Sequence, residues 1–320
     1  MKSHFVLAFV ALALSAVPAA QAQGYPTKPI KIVVPFTPGG GVDINARLLA
    51  PKLTEYLNQP IIIESRPGAG SNIGTEFVAK SPPDGYTLLM NGGAVAINMS
   101  LYKKLGYDAL RDFIAISVFS ESPNVLVVHP SLPVKSAKDL IALAKARPAA
   151  LNFSSSGSGS TQHLSGELFN LRAGVKTVHV PFKGTAPALT SVVGGEIEMS
   201  FANIPAISAF VKAGRLRPIA TTGLKRAAQL PDVPTLKEHG IDVDVTVRYG
   251  IFVPTGTPRD IVNTLAAAIA KAARSPDTRQ RLLDQGAEPV GNSPEEFGKI
   301  MKEEVVRWAE VVRVSGAKAD

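Results

Sequence analysis

Short β-branched runs alternate along this chain with longer stretches whose apolar residues recur at helical spacing. The first kind reads as buried strand, the second as helix with one apolar face. Strands are predicted at residues 30–34, 61–64, 87–90, 125–128, 152–154, 177–180, 197–201 and 218–221, with helices between most of them. That order is the signature of an α/β fold with mainly parallel sheets. Several helix starts are marked. Ser136 to Asp139 fits a capping box, Pro258 and Pro276 fall in first helical turns, and Ser293-Pro294-Glu295-Glu296 opens a last helix. On it Phe297, Ile300, Met301, Val305, Trp308 and Val312 form one stripe, which reads as core packing.

Two stretches, 119–130 and 231–254, are proline-punctuated and extended, and each sits between blocks of β/α units. The chain is expected to cross to a second lobe at the first and return at the second. This predicts a discontinuous domain 1 (23–122 and 240–320), a domain 2 (123–239) and two hinge strands able to close on a ligand. About 300 residues also exceed one ordinary core. Ahead of them, residues 1–22 read as a secretory signal peptide: Lys2 is the positive start, residues 5–17 are apolar or small, and Ala20-Gln21-Ala22 fits a cleavage site. That run is too short to span a membrane. The expected destination is a periplasm, with the mature chain starting near Gln23.

The absence of cysteine removes disulfides, thiolate chemistry and a lipoprotein attachment site. The net charge of +8 becomes +7 without Lys2 and favours anionic solutes. Nucleic acid is a poor match, because the basic residues are scattered and aromatics are only 6%.

The candidate chemistry lies in glycine turns. Val34-Pro-Phe-Thr-Pro-Gly-Gly-Gly-Val-Asp43 joins a strand to a helix, and such a turn offers close backbone approach and free amides to an anion. Ser154 to Thr161 repeats that logic in the second lobe, with hydroxyls beside a helix start. Glu64 to Gly74, Met90 to Ala94, Val180 to Gly184 and Phe201 to Asn203 also end strands, where open α/β sheets bind ligands. No dinucleotide fingerprint, GK[ST] phosphate loop, G-x-S-x-G elbow or paired metal-ligand spacing is present, and Ser100 to Lys103 matches S-x-x-K without its companion motifs. His163 is expected to hold the serine loop by a hydrogen bond, with no orienting acid identifiable. Glu196 and Glu198 are expected to face solvent.

Taken together, PFTPGGGVD, SRPGAGSNIG, SSSGSGSTQHLSGELF, VPFKG and GIFVPTGTP resemble the Bug-type (TctC-like) solute receptors of tripartite tricarboxylate transporters, over essentially the whole mature chain. The resemblance implies a two-lobed periplasmic binding-protein fold of type II-like layout. It also implies a monomer without cofactor or catalysis, and delivery of a small organic acid to membrane permease subunits. By position it implies a first jaw of Phe36, Thr37, Pro38, Gly39 and Gly40 and a second of Ser156, Gly157, Ser160 and Thr161. Ser71, Asn91, Gly184 and Asn203 would line the remainder. Where many relatives read Phe-Asp-Asn, this chain has Phe201-Ala202-Asn203, which disfavours zwitterions. The alternatives are a secreted serine hydrolase using Ser156 or Ser158 with His163, and a solute sensor for a membrane regulator.

Overall fold

The computed structural model describes residues 24–319, so the expected signal peptide lies outside the described residues. β1 (Ile30–Val34), α1 (Gly41–Leu57), β2 (Ile61–Ser65), α2 (Asn72–Ala79), β3 (Thr87–Asn91) and α3 (Ala94–Leu101) begin the first lobe. Here β1 lies between β2 and β3, parallel to both. The chain then runs through β4 (Phe113–Val128), a strand of 16 residues. Beyond it α4 (Ala137–Ala146), β5 (Asn152–Ser155), α5 (Thr161–Ala173), β6 (Val178–Pro181), α6 (Thr185–Val193), β7 (Met199–Asn203), α7 (Ile204–Lys212) and β8 (Arg217–Thr221) build the second lobe. There β5 lies parallel between β6 and β7. The return passes through β9 (Thr246–Pro254), α8 (Arg259–Arg274), α9 (Pro276–Asp284), β10 (Glu288–Pro289) and α10 (Pro294–Ser315).

β4 serves both sheets. Its residues up to Pro123 pair antiparallel with β9, and from Asn124 onward it pairs antiparallel with β7 and β8. On the way back, Val245 donates its amide to Thr222 of the second lobe, while the next residue, Thr246, pairs with Pro123. Apart from an isolated parallel bridge between Thr221 and Thr235, parallel pairing lies within the βα units of each lobe. The long strands linking them run antiparallel, because the chain leaves the first lobe along β4 and comes back along β9.

Other sequence expectations shift locally. β7 starts two residues later than predicted, and Glu198 does not face solvent freely: its Oε2 accepts from the Asn152 amide at 2.7 Å and the Asn152 side chain at 3.1 Å. Pro258 is an N-cap, whereas Pro276 occupies the first turn. The Ser136 hydroxyl accepts from the Asp139 amide, but the Asp139 carboxylate reaches back to Lys135, one residue before the N-cap. The full reciprocal box forms at Ser293 and Glu296, which start α10.

Apolar cores lie behind each sheet, and a third cluster runs between the lobes along β4 and the C-terminal helix, from Val33 and Leu89 to Phe153, Phe201 and Trp308. α10 packs on α3 and β4 and also reaches α5 of the second lobe. Of its predicted stripe, Phe297, Met301 and Trp308 are buried, while Ile300, Val305 and Val312 pack at the margin. Among the described residues, no helix is long and apolar enough to cross a membrane.

Candidate functional site

Between the lobes is a small cavity at the carboxyl ends of the parallel strands. The first lobe contributes Phe36, Gly40, Gly41 and Val42 from the β1–α1 turn and Asn91, Gly92, Gly93 and Ala94 from the β3–α3 turn. The second contributes Ser156, Ser160, Thr161 and Gln162 around the start of α5, Thr185 at the start of α6, and Asn203, the N-cap of α7. Val247 and Tyr249 of β9 close the wall. No charged side chain lines this space.

What surrounds it instead is a ring of helix starts. α1, α3, α5, α6 and α7 each place their first residue or N-cap at the cavity. The first amides of a helix have no intrahelical acceptor, and its macrodipole carries roughly half a positive charge there. The arrangement suits an anion held by neutral donors.

Each turn is braced from behind. In the first lobe the Gly39 amide donates to the Asp43 carboxylate at 2.9 Å, and Arg47 pairs with the same group. The Asn91 side chain is spent on Thr75 at 3.1 Å, on Ser71 at 3.4 Å and on the Gly92 amide at 2.7 Å. In the second lobe the Ser156 amide donates to Gln162 at 2.8 Å, and Gln162 donates to the Thr185 hydroxyl at 2.9 Å. Ser160 caps α5 by accepting from the His163 amide, and His163 Nδ1 accepts from Gly159 at 3.2 Å, holding the serine loop as expected. An acid does stand beside this imidazole: Glu167 lies 3.7 Å from Nε2. With Nδ1 taken up by the Gly159 amide, His163 braces the turn. The buried Ser155 contacts His179 at 2.6 Å, but neither residue lines the cavity. Among the described residues no group of three or more His, Cys, Asp or Glu could hold a metal ion.

His179 stacks on His163 at 3.9 Å between centroids. Burial, and secondarily the neighbouring His163 ring, lower its pKa from 6.5 to about 3. The folded state thus keeps His179 neutral while the unfolded chain takes up a proton below pH 6.5, so this contribution to stability is lost as pH falls from 6.5 towards 3. The stability advantage of wild type over His179→Gln should shrink as pH is lowered through that window in urea titrations. A constant difference would contradict this.

Of the residues singled out from sequence, Phe36, Gly40, Asn91, Ser156, Ser160, Thr161 and Asn203 line the cavity, whereas Thr37, Pro38, Gly39, Ser71, Gly157 and Gly184 do not. Most of the latter lie where the lobes meet. Thr37 donates its amide to Lys183 across the cleft at 3.4 Å, and a Cβ on Gly184 would collide with the Thr37 side chain. Gly157 faces the Cα of Gly70, and Gly39 faces the Ala186 methyl. Ser71 is a brace for Asn91. Ala202 is buried in the second-lobe core, not exposed to the cavity. Sequence reasoning missed Gln162, which lies inside a quoted motif, and Thr185 and Tyr249, which adjoin two others.

The sequence matches, over residues 45–316, the family described as tripartite tricarboxylate transporter family receptor. It is 38% identical to protein BugT of Bordetella pertussis over 313 residues, covering 97% of this chain and 96% of that one. A solved structure of an R. palustris protein with adipate superposes with a TM-score of 0.89 at 38% identity, over 92% of this chain and 100% of that one. MatC from Rhodopseudomonas palustris with bound malate gives 0.86 at 32% identity, over 90% and 100%.

Proposed function

Because this chain belongs to the tripartite tricarboxylate transporter family of receptors, we propose that it captures a small organic carboxylate in the interlobe cavity and delivers it to the membrane permease subunits of such a transporter. The reading places the mature protein in the periplasm after removal of residues 1–22. Two hinge strands, with domain 1 as 23–122 and 240–320 and domain 2 as 123–239, let the lobes shut on the ligand.

The observation that carries the reading is the ring of five helix starts around a cavity without a charged wall. A carboxylate entering it exchanges water for several amide and hydroxyl donors, and hydrogen bonds to a charged group are worth about 1.5–3 kcal/mol each. The jaws in this reading are the β1–α1 turn (Phe36, Thr37, Pro38, Gly39, Gly40) and the β5–α5 turn (Ser156, Gly157, Ser160, Thr161), completed by Ser71, Asn91, Gly184 and Asn203. Those that miss the cavity act by shaping the turns or the lobe contact. Support also comes from relatives solved with adipate and with malate. An ammonium would find no acidic side chain in the wall, so dicarboxylates should bind far more tightly than amino acids.

Isothermal titration of the purified receptor with succinate, malate, adipate and citrate, against aspartate and glutamate, tests this. Gly40 has an extended backbone open to any residue, but its Cβ would lie 3.1 Å from the Thr185 hydroxyl. Gly40→Val is therefore expected to fold and to bind its carboxylate at least about a hundredfold more weakly, by two methyl groups intruding into the jaw. An amino acid binding more tightly than every carboxylate would refute the reading, as would full affinity in the valine variant.

A further inference from the structure

We propose that the Tyr249 hydroxyl, together with the Asn203 side-chain amide, donates to a carboxylate oxygen of the ligand in the cavity. The inference rests on the carboxylate reading above and adds to it a side-chain anchor on the strand that links the lobes.

Tyr249 is wholly buried and lines the cavity, yet its hydroxyl has no hydrogen-bond partner. The Ser122 hydroxyl is a neighbour that influences the phenol without meeting hydrogen-bond geometry. A buried hydroxyl left unpaired costs about 1–3 kcal/mol, so such a group in a binding cleft needs an explanation. Burial raises the phenol pKa, which keeps the hydroxyl protonated and able to donate.

The surroundings say what it meets. Asn203 spends its Oδ1 on capping α7, accepting from the Ala206 amide at 3.3 Å, which leaves its Nδ2 as a donor. That nitrogen and the Tyr249 oxygen both crowd the place where a Cβ on Gly41 would sit. Gly41, the first residue of α1, has no side chain and so lets both donors pack against its backbone while they line the cavity. Two neutral donors in one cavity wall that carries no acidic group match an oxygen that only accepts. A carboxylate oxygen fits that description better than a hydroxyl, which would have to place its own proton.

The test is Tyr249→Phe in the full receptor. Without ligand the variant should unfold at the same temperature as wild type or higher, because it removes an unpaired polar atom and keeps the ring. For each carboxylate that wild type binds, affinity should fall about ten- to hundredfold, with succinate and malate affected alike. Unchanged affinity would overturn the proposal while leaving the carboxylate reading intact. So would a lower unfolding temperature of the ligand-free variant, which would mean that Ser122 or another protein group holds the hydroxyl. A loss confined to malate would assign Tyr249 to a ligand hydroxyl and overturn it as well. Failure of wild type to bind any carboxylate would sink both readings.

Discussion

Gly70→Ala is expected to fold but to lose at least about a hundredfold in ligand affinity, because the added methyl keeps the lobes from meeting. Gly70 belongs to the first lobe, and a Cβ there would lie 2.0 Å from the backbone carbonyl oxygen of Ser158 in the second. A backbone oxygen cannot swing aside as a flexible side chain would. The same seam is fixed by the Tyr102 hydroxyl, which donates to that carbonyl at 3.1 Å. Gly159 stands against Asn98, and Gly184 against Thr37, so glycines from both lobes interleave along the closed cleft. Alanine at Gly70 also meets a left-handed backbone (φ 59°), which costs about 1 kcal/mol by itself. Gly174→Ala separates the two effects: its φ is 61°, and nothing lies within 4 Å of its Cβ position. Both variants should lose a similar small amount of stability, whereas only Gly70→Ala should lose affinity. Small-angle scattering should show wild type and Gly174→Ala contracting with ligand and Gly70→Ala remaining extended. Contraction of the Gly70 variant with wild-type affinity would remove the closure argument.

This seam explains why the turns were legible in the sequence while their roles were not. A glycine run after a strand announces that something approaches the backbone closely. It does not say whether the visitor is a ligand or the other lobe. Gly40 lines the cavity while also facing Thr185 of the opposing lobe, whereas Gly39 and Gly184 face the opposing lobe without lining the cavity, and nothing in the local sequence separates the two cases. Among the strands of the βα units, β1, β3 and β7 were readable as short apolar runs because they are buried on both faces, while the edge strands β2 and β6 were readable from β-branched residues although Ile62 and Val178 are exposed. β4 was readable only in part: residues 125–128 read as strand and 119–130 as extended, but 113–118 went unread, and Ser117, Ser120, Glu121, Ser122 and Pro123 interrupt the apolar pattern of a strand that β9 pairs with from far along the chain. Tyr249 lies on that partner strand, so its place in the cavity depends on a pairing that no local signal encodes. Ser293 with Glu296 could be read because capping is settled within one turn.

Trp308→Ala should produce the largest loss of stability, about 3–5 kcal/mol, or roughly 6–20 °C in the unfolding midpoint. Trp308 is the single tryptophan of the chain and is fully buried on α10. Its loss opens a void in the cluster that runs between the lobes, where surrounding strands and helices cannot collapse from both sides at once. Two further links depend on it. The indole nitrogen donates to Glu304, and Glu304 pairs at 2.6 Å with Arg248, the residue preceding Tyr249 on β9. The same nitrogen lies 3.7 Å from the Cβ position of Gly93, the N-cap of α3 at the cavity wall. Truncation therefore loosens the backing of the site as well as the core. Trp308→Phe keeps most of the buried volume and should fall between wild type and alanine, whereas an alanine variant within about 1 kcal/mol of wild type in urea unfolding would show that α10 does not hold the lobes together.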